Sequence, residues 1–148
     1  MNQLKRILLV EDDPNDLELA LEGLSEYNLL NQIVVARDGQ EALDYLYRKG
    51  RFESRPEGNP ILILLDIKMP KVDGLTVLKQ IRSDVNLRMI PVVILTSSKE
   101  ERDVIEGYRL GVNAFVVKPV VFHSFVDAVK QVGAFWAVIN EPPPEKIT

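Results

Sequence analysis

The 148 residues contain no cysteine. Disulfides and thiolate metal sites are therefore excluded, and nothing points to an oxidising compartment. Histidine is nearly absent as well: His123 is the only one, and it reads as an exposed residue at a helix start, not as a ligand or base. No apolar stretch approaches the roughly 18 residues that a membrane span requires. The opening Met1-Asn2-Gln3-Leu4-Lys5-Arg6 leads through a short apolar run into acids, unlike a signal peptide. Basic surface is also lacking. A net charge of -4 and a pI near 5.1 give no general attraction for nucleic-acid phosphates. These absences lead to the expectation of a cytoplasmic domain with neither a membrane nor a nucleic-acid partner.

What is present alternates regularly between strand-like and helix-like segments. Ile7-Leu8-Leu9-Val10 is a short apolar run followed by Glu11-Asp12-Asp13. Pro14 then suits the first helical position, with Asp13 as N-cap and Leu17, Ala20, Leu21 and Leu24 on one helical face. Residues 32–36 read as a second strand, and Asp38-Gly39 opens a helix carrying Ala42, Leu43 and Leu46. Residues 49–60, with two glycines, two prolines and five charges, read as a loop of unusual length. Ile61 to Leu65 is a third strand that ends at Asp66, and Asp73 shapes a turn before Gly74 and the helix bearing Leu75, Val77, Leu78 and Ile81. Pro91 opens a fourth strand that ends at Thr96. Ser98 and Glu101 match a capping box, and Gly111 reads as the C-cap of that helix. Residues 114–117 form a fifth strand, and 121–139 a last helix. The alternation predicts an α/β fold: a doubly wound five-stranded parallel sheet with right-handed crossovers. One domain over residues 1–140 is expected, followed by a Pro-rich tail at 141–148 and no output domain.

All strands of such a sheet point one way, so their carboxyl ends share an edge, where open α/β sheets bind ligands. Glu11 and Asp12 follow strand one, Asp66 strand three, Thr96 ends strand four and Lys118 follows strand five. Like charges about 4 Å apart cost roughly 4 kcal/mol at an effective dielectric near 20. Three converging carboxylates therefore call for a cation, and all-oxygen ligands suit Mg²⁺. Lys118 is better placed against an incoming anion. A metal, a lysine and a hydroxyl around one carboxylate describe a phosphoryl-transfer site, with Asp66 as nucleophile and Thr96 as a hydrogen-bond donor to a phosphoryl oxygen.

These residues resemble a family. Val10-Glu11-Asp12-Asp13, Leu64-Leu65-Asp66-Ile67-Lys68-Met69-Pro70, Asp73-Gly74, residues 91–96 and Val117-Lys118-Pro119 are similar, in order and spacing, to the response-regulator receiver domains of two-component signalling. The resemblance covers nearly the whole chain. It implies the flavodoxin-like strand order 2-1-3-4-5 and phosphorylation of Asp66 by a sensor histidine kinase. It also implies Mg²⁺ held by Glu11, Asp12, Asp66 and the Lys68 backbone carbonyl. Thr96 and Phe115 would form a switch pair, and the Lys118–Pro119 peptide would be cis. The loop before Pro60, the Phe135-Trp136 pair and the Pro-rich end look similar to small cyanobacterial receivers that partner phytochrome photoreceptor kinases. There are departures. Phe115 stands where the family often has Tyr, Glu11 replaces a commoner Asp, and Lys68 lies two residues after Asp66. With Ser98, Lys68 is expected to tune dephosphorylation.

The last helix carries two apolar stripes, one more than docking on a sheet needs. The second, with Phe125, Val132, Phe135 and Ile139, together with Trp136 of the first, suggests a symmetric homodimer. The reading is thus a phosphorylation-dependent switch and not a turnover enzyme, signalling through protein contacts as terminal output or as a relay to a phosphotransfer partner. Two alternatives are weaker. A Mg²⁺-dependent aspartyl phosphatase usually wants a second acid two residues on, where Lys68 stands. A nucleotide or flavin domain needs a Gly- or Ser/Thr-rich loop after strand one, where Glu11-Asp12-Asp13 would repel phosphate.

Overall fold

Apolar runs with no polar interruption have to be covered on both sides, and β1 (Ile7–Val10) and β3 (Leu62–Leu65) are buried along their whole length. The computed structural model describes residues 6–25, 32–96, 101–112 and 114–117. Besides these two strands it contains α1 (Pro14–Ser25), β2 (Ile33–Ala36), α2 (Gly39–Tyr47), a 3-10 turn (Gly50–Phe52), α3 (Gly74–Ser83), β4 (Val92–Thr96), α4 (Glu101–Arg109) and β5 (Ala114–Val117). Every pairing is parallel, and the strand order is β2-β1-β3-β4-β5. The helix expected over 121–139, with Phe125, Val132, Phe135, Trp136 and Ile139, lies outside the described residues. The same holds for Ser98, His123 and the Lys118–Pro119 bond.

Alternation along each strand divides the core in two. Leu8, Val10, Ile63, Leu65, Val92 and Ile94 face Ala42, Tyr45 and Leu46 of α2 and Val77, Leu78 and Ile81 of α3. Ile7, Leu9, Leu62, Leu64, Val93 and Leu95 face Leu17, Ala20 and Leu24 of α1. Helices therefore cover both faces, which forces the strand ends to carry whatever is polar. Gly111 closes α4 as expected: its φ is 91°, its N–H donates to the Tyr108 carbonyl at 3.1 Å, and Val112 N–H donates to Gly107 at 3.1 Å. This pattern is a Schellman cap.

The segment over residues 49–60 is better ordered than its composition suggests. Phe52 is buried edge-to-face on Tyr45, with ring centroids 5.1 Å apart. The Arg55 guanidinium lies 4.1 Å over the Tyr45 ring and donates to the carbonyls of Tyr45, Pro56 and Gly58. Aromatic stacking and backbone carbonyls fold the insertion onto α2, which counting glycines and prolines could not show.

Arg51 closes the edge of the sheet. It donates to the carbonyl of Val35 on edge strand β2 at 3.0 Å and to Glu41 Oε1 at 2.9 Å, occupying an acceptor that a foreign strand could otherwise use. The Arg51 hydrogen bond, opposed by partial burial and aided by the Arg37 N–H, holds the Glu41 carboxyl below its ordinary value of 4.5. A carboxylate with a depressed folded-state pKa adds stability that is present above the unfolded value and lost as pH falls through the folded one. Arg51→Met is therefore expected to lower the urea midpoint at pH 7, and the deficit should shrink as the medium is acidified below 4.5. A deficit that grows on acidification would contradict this pairing.

Candidate functional site

The parallel register of β1 and β3 builds the site. Val10 is level with Leu65, and the Asp66 N–H donates to the Val10 carbonyl at 3.1 Å. The residues that leave these two strands, Glu11-Asp12 and Asp66, are thereby placed side by side. One carboxylate oxygen from each of Glu11, Asp12 and Asp66 lies within 4.8 Å of the others. Glu11 is 4% and Asp66 7% exposed, while Asp12 is half-buried.

Backbone groups fix Glu11 and Asp66. Ile67 N–H donates to Asp66 Oδ1 at 2.8 Å, Asp13 N–H reaches Glu11 Oε2 at 3.3 Å, and Glu11 N–H donates to Ala36 O at 3.0 Å. Glu11 thus uses its extra methylene to turn back toward its own chain. Like charges at this separation repel by about 3 kcal/mol per pair at an effective dielectric near 20. The donor set, all oxygen and mostly buried, fits a hard divalent cation. Beside it lies an open pocket of ≈ 400 Å³ lined by Asp12, Ile67, Lys68, Met69, Pro70, Asp73 and Leu75.

Three further aspartates at this edge do a different job. Asp13 Oδ1 accepts from Asn15 and Asp16 N–H, Asp38 Oδ1 from Glu41 N–H, and Asp73 Oδ1 from Thr76 N–H. They cap α1, α2 and α3. Asp73, expected to shape a turn, is the α3 N-cap proper.

Gly74 matters for space. Its N–H donates to Ile67 O at 2.7 Å, and a Cβ there would stand 2.0 Å from Asp66 O and 2.8 Å from Ile67 Cα. Any side chain at 74 would push the backbone of the phosphoacceptor candidate itself.

On the other side of β3, Thr96 ends β4 level with Val117, and Phe115 pairs with Ile94. The backbones of Thr96 and Phe115 therefore sit where the sequence places them, whereas Lys118 lies just past the described residues. Sequence reasoning missed Lys71 and gave Asp38 no part beyond opening a helix. Lys71 Nζ lies 3.5 Å from Asp38 Oδ2. The cue in sequence was only Asp38-Gly39 and a lysine after Pro70, and neither implies contact.

With this geometry in view, the comparisons with known proteins are direct. The response regulator receiver domain family matches residues 7–130. Response regulator Rcp1 of Synechocystis sp. is 39% identical over 135 residues, covering 91% of this chain and 90% of Rcp1. A solved structure of the Mn²⁺-bound form of Rcp1 superposes with a TM-score of 0.87 at 38% identity, covering 95% of this chain and 99% of that one. The phosphorylated cyanobacterial phytochrome response regulator RcpA gives a TM-score of 0.87 at 37% identity, with 96% and 100% covered. The bacteriophytochrome response regulator RtBRR gives 0.76 at 61% identity, with 97% and 87% covered. The chain belongs to the response regulator receiver domain family.

A test of the local geometry follows from Gly74. Gly74→Ala is expected to cost roughly 1–3 kcal/mol in urea unfolding, the range for overpacking a closed site. An unchanged midpoint would mean that the turn yields freely.

Proposed function

We propose that this chain is a phosphorylation-dependent switch in which Asp66 accepts a phosphoryl group from a sensor histidine kinase of the phytochrome type. The observation that carries the reading is the gathering of Glu11, Asp12 and Asp66 within 4.8 Å at the carboxyl edge of β1 and β3. An Asp66 carboxylate oxygen attacks phosphorus as the bond from phosphorus to the kinase imidazole nitrogen breaks, leaving a neutral imidazole and an aspartyl phosphate. Glu11, Asp12, Asp66 and the Lys68 carbonyl are the ligands assigned to Mg²⁺. When bound, the ion would supply positive charge against the phosphoryl oxygens.

The hydrogen bond from Ile67 N–H holds one Asp66 oxygen, orienting the carboxylate toward the cluster. Lys118 is assigned to the phosphoryl charge and Thr96 to a hydrogen bond with a phosphoryl oxygen. Phe115 is assigned to the switch with Thr96, and the Lys118–Pro119 bond is read as cis. Phe115 has no hydroxyl to donate, so its part in switching is one of packing.

Lys68 separates this reading from an aspartyl phosphatase, because it stands where that chemistry places its second acid. The acyl phosphate is therefore a stored signal passed on in the cytoplasm by altered protein contacts. The phytochrome-type kinase is supported by the similarity to RcpA, a cyanobacterial phytochrome response regulator, and to RtBRR, a bacteriophytochrome response regulator. Homodimerisation through Phe125, Val132, Phe135, Trp136 and Ile139 completes the proposal.

Incubation with Mg²⁺ and acetyl phosphate, read by intact mass, is expected to add one phosphoryl group to the wild type and none to Asp66→Asn. An unlabelled wild type with normal Mg²⁺ binding would sink the reading. Light scattering across a range of concentrations, with and without phosphodonor, is expected to show a dimer; a monomer at every concentration would remove that part alone.

A further inference from the structure

The loop at residues 67–73 carries the Lys68 carbonyl. Asp66 and Gly74 fix its two ends, but its middle is held from another part of the fold. Lys71 adopts left-handed backbone, φ 66°, a conformation that is uncommon for a residue with a long side chain. Its ammonium lies 3.5 Å from Asp38 Oδ2. Asp38 is itself immobilised: it is 8% exposed, and its other oxygen accepts from Glu41 N–H at 2.8 Å. The two oxygens of one carboxylate are thus divided between the cap of α2 and the β3–α3 loop.

The neighbouring residue repeats the contact with backbone. Gly39 lies against Val72 so closely that a Cβ would stand 1.9 Å from the Val72 carbonyl oxygen. Consecutive loop residues, Lys71 and Val72, therefore rest on consecutive turn residues, Asp38 and Gly39. Only Met69 and Pro70 separate Lys71 from Lys68, and Pro70 restricts the chain between them. Fixing Lys71 leaves the Lys68 carbonyl little room to turn.

We propose that Asp38 and Lys71 form a latch that holds the β3–α3 loop in the conformation presenting the Lys68 carbonyl to a divalent cation. The proposal rests on the reading of the acidic cluster as a metal-assisted phosphoacceptor site. Lys71 is then a positioning residue. Its side chain is 68% exposed and turned to Asp38, and an ion pair so open to water adds little to global stability. Its effect lies in selecting one arrangement of the loop.

The sign of the effect separates a latch from simple electrostatics. Removing the Lys71 charge near a cation site would, by field alone, tighten cation binding; removing the Asp38 charge would weaken it. A latch predicts weakening in both. Mn²⁺ titrations by calorimetry on wild type, Lys71→Met, Asp38→Asn and Lys71→Arg make the comparison. Asn is as good an N-cap as Asp, so α2 keeps its start. Losses of roughly two- to fivefold for both Lys71→Met and Asp38→Asn, the scale of a partly exposed ion pair, are expected, with Lys71→Arg close to wild type. Tighter binding by Lys71→Met, or equal affinity in all four proteins, would overturn the latch while leaving the metal site standing. No Mn²⁺ binding by the wild type would overturn the site reading and the latch with it.

Discussion

The hydrogen bond from Asp66 N–H to the Val10 carbonyl is the contact on which the rest of the site depends. It continues the parallel ladder one residue beyond β3, onto the last residue of β1. Because the ladder is parallel, the chains leave it in the same direction and at the same level. Two acids from one strand and one from the other are then brought within 4.8 Å, a crowding that each strand alone would avoid. The buried apolar strands supply the force that keeps them there. Moving Asp66 away from Glu11 would require unzipping residues that are almost wholly out of water.

The acids at this edge fall into two groups with different physical duties. Asp13, Asp38 and Asp73 give side-chain oxygens to the free N–H groups of α1, α2 and α3. Glu11, Asp12 and Asp66 converge on one another instead. The caps set where each helix begins, and so set the lengths of the loops that border the cluster. Asp38 does more than cap α2, since its second oxygen meets Lys71 of the β3–α3 loop. Gly39 and Gly74 complete the framework by allowing backbones to meet where any side chain would intrude.

On the proposed reading, Asp66 is made reactive by its place beside Glu11 and Asp12 and not by a neighbouring base. A hydrolase of similar chemistry needs a second acid to serve a water molecule, and Lys68 does not offer one. The resemblance to cyanobacterial and bacteriophytochrome regulators, at identities from 37% to 61%, gives the phytochrome reading its support. The insertion after α2 is folded onto Tyr45 by Phe52 and Arg55 and reaches the edge strand through Arg51.

The sequence by itself determined the local facts. Unbroken apolar runs marked β1, β3 and β4, because a strand covered on both faces has no polar side. Asp13-Pro14 marked the start of α1, and Gly111 the end of α4, because caps are short-range chemistry. Glu11, Asp12 and Asp66 were legible as a cluster once the strands were taken as parallel. Only the tertiary structure decided what depends on distant residues meeting. It showed that Asp73 caps a helix, that Arg51 closes an edge strand, and that residues 49–60 pack on an aromatic ring. It also joined Lys71 to Asp38, thirty-three residues apart in the chain. Periodicity and capping are written in neighbours along the chain, whereas the partner of a long charged side chain is chosen by the fold.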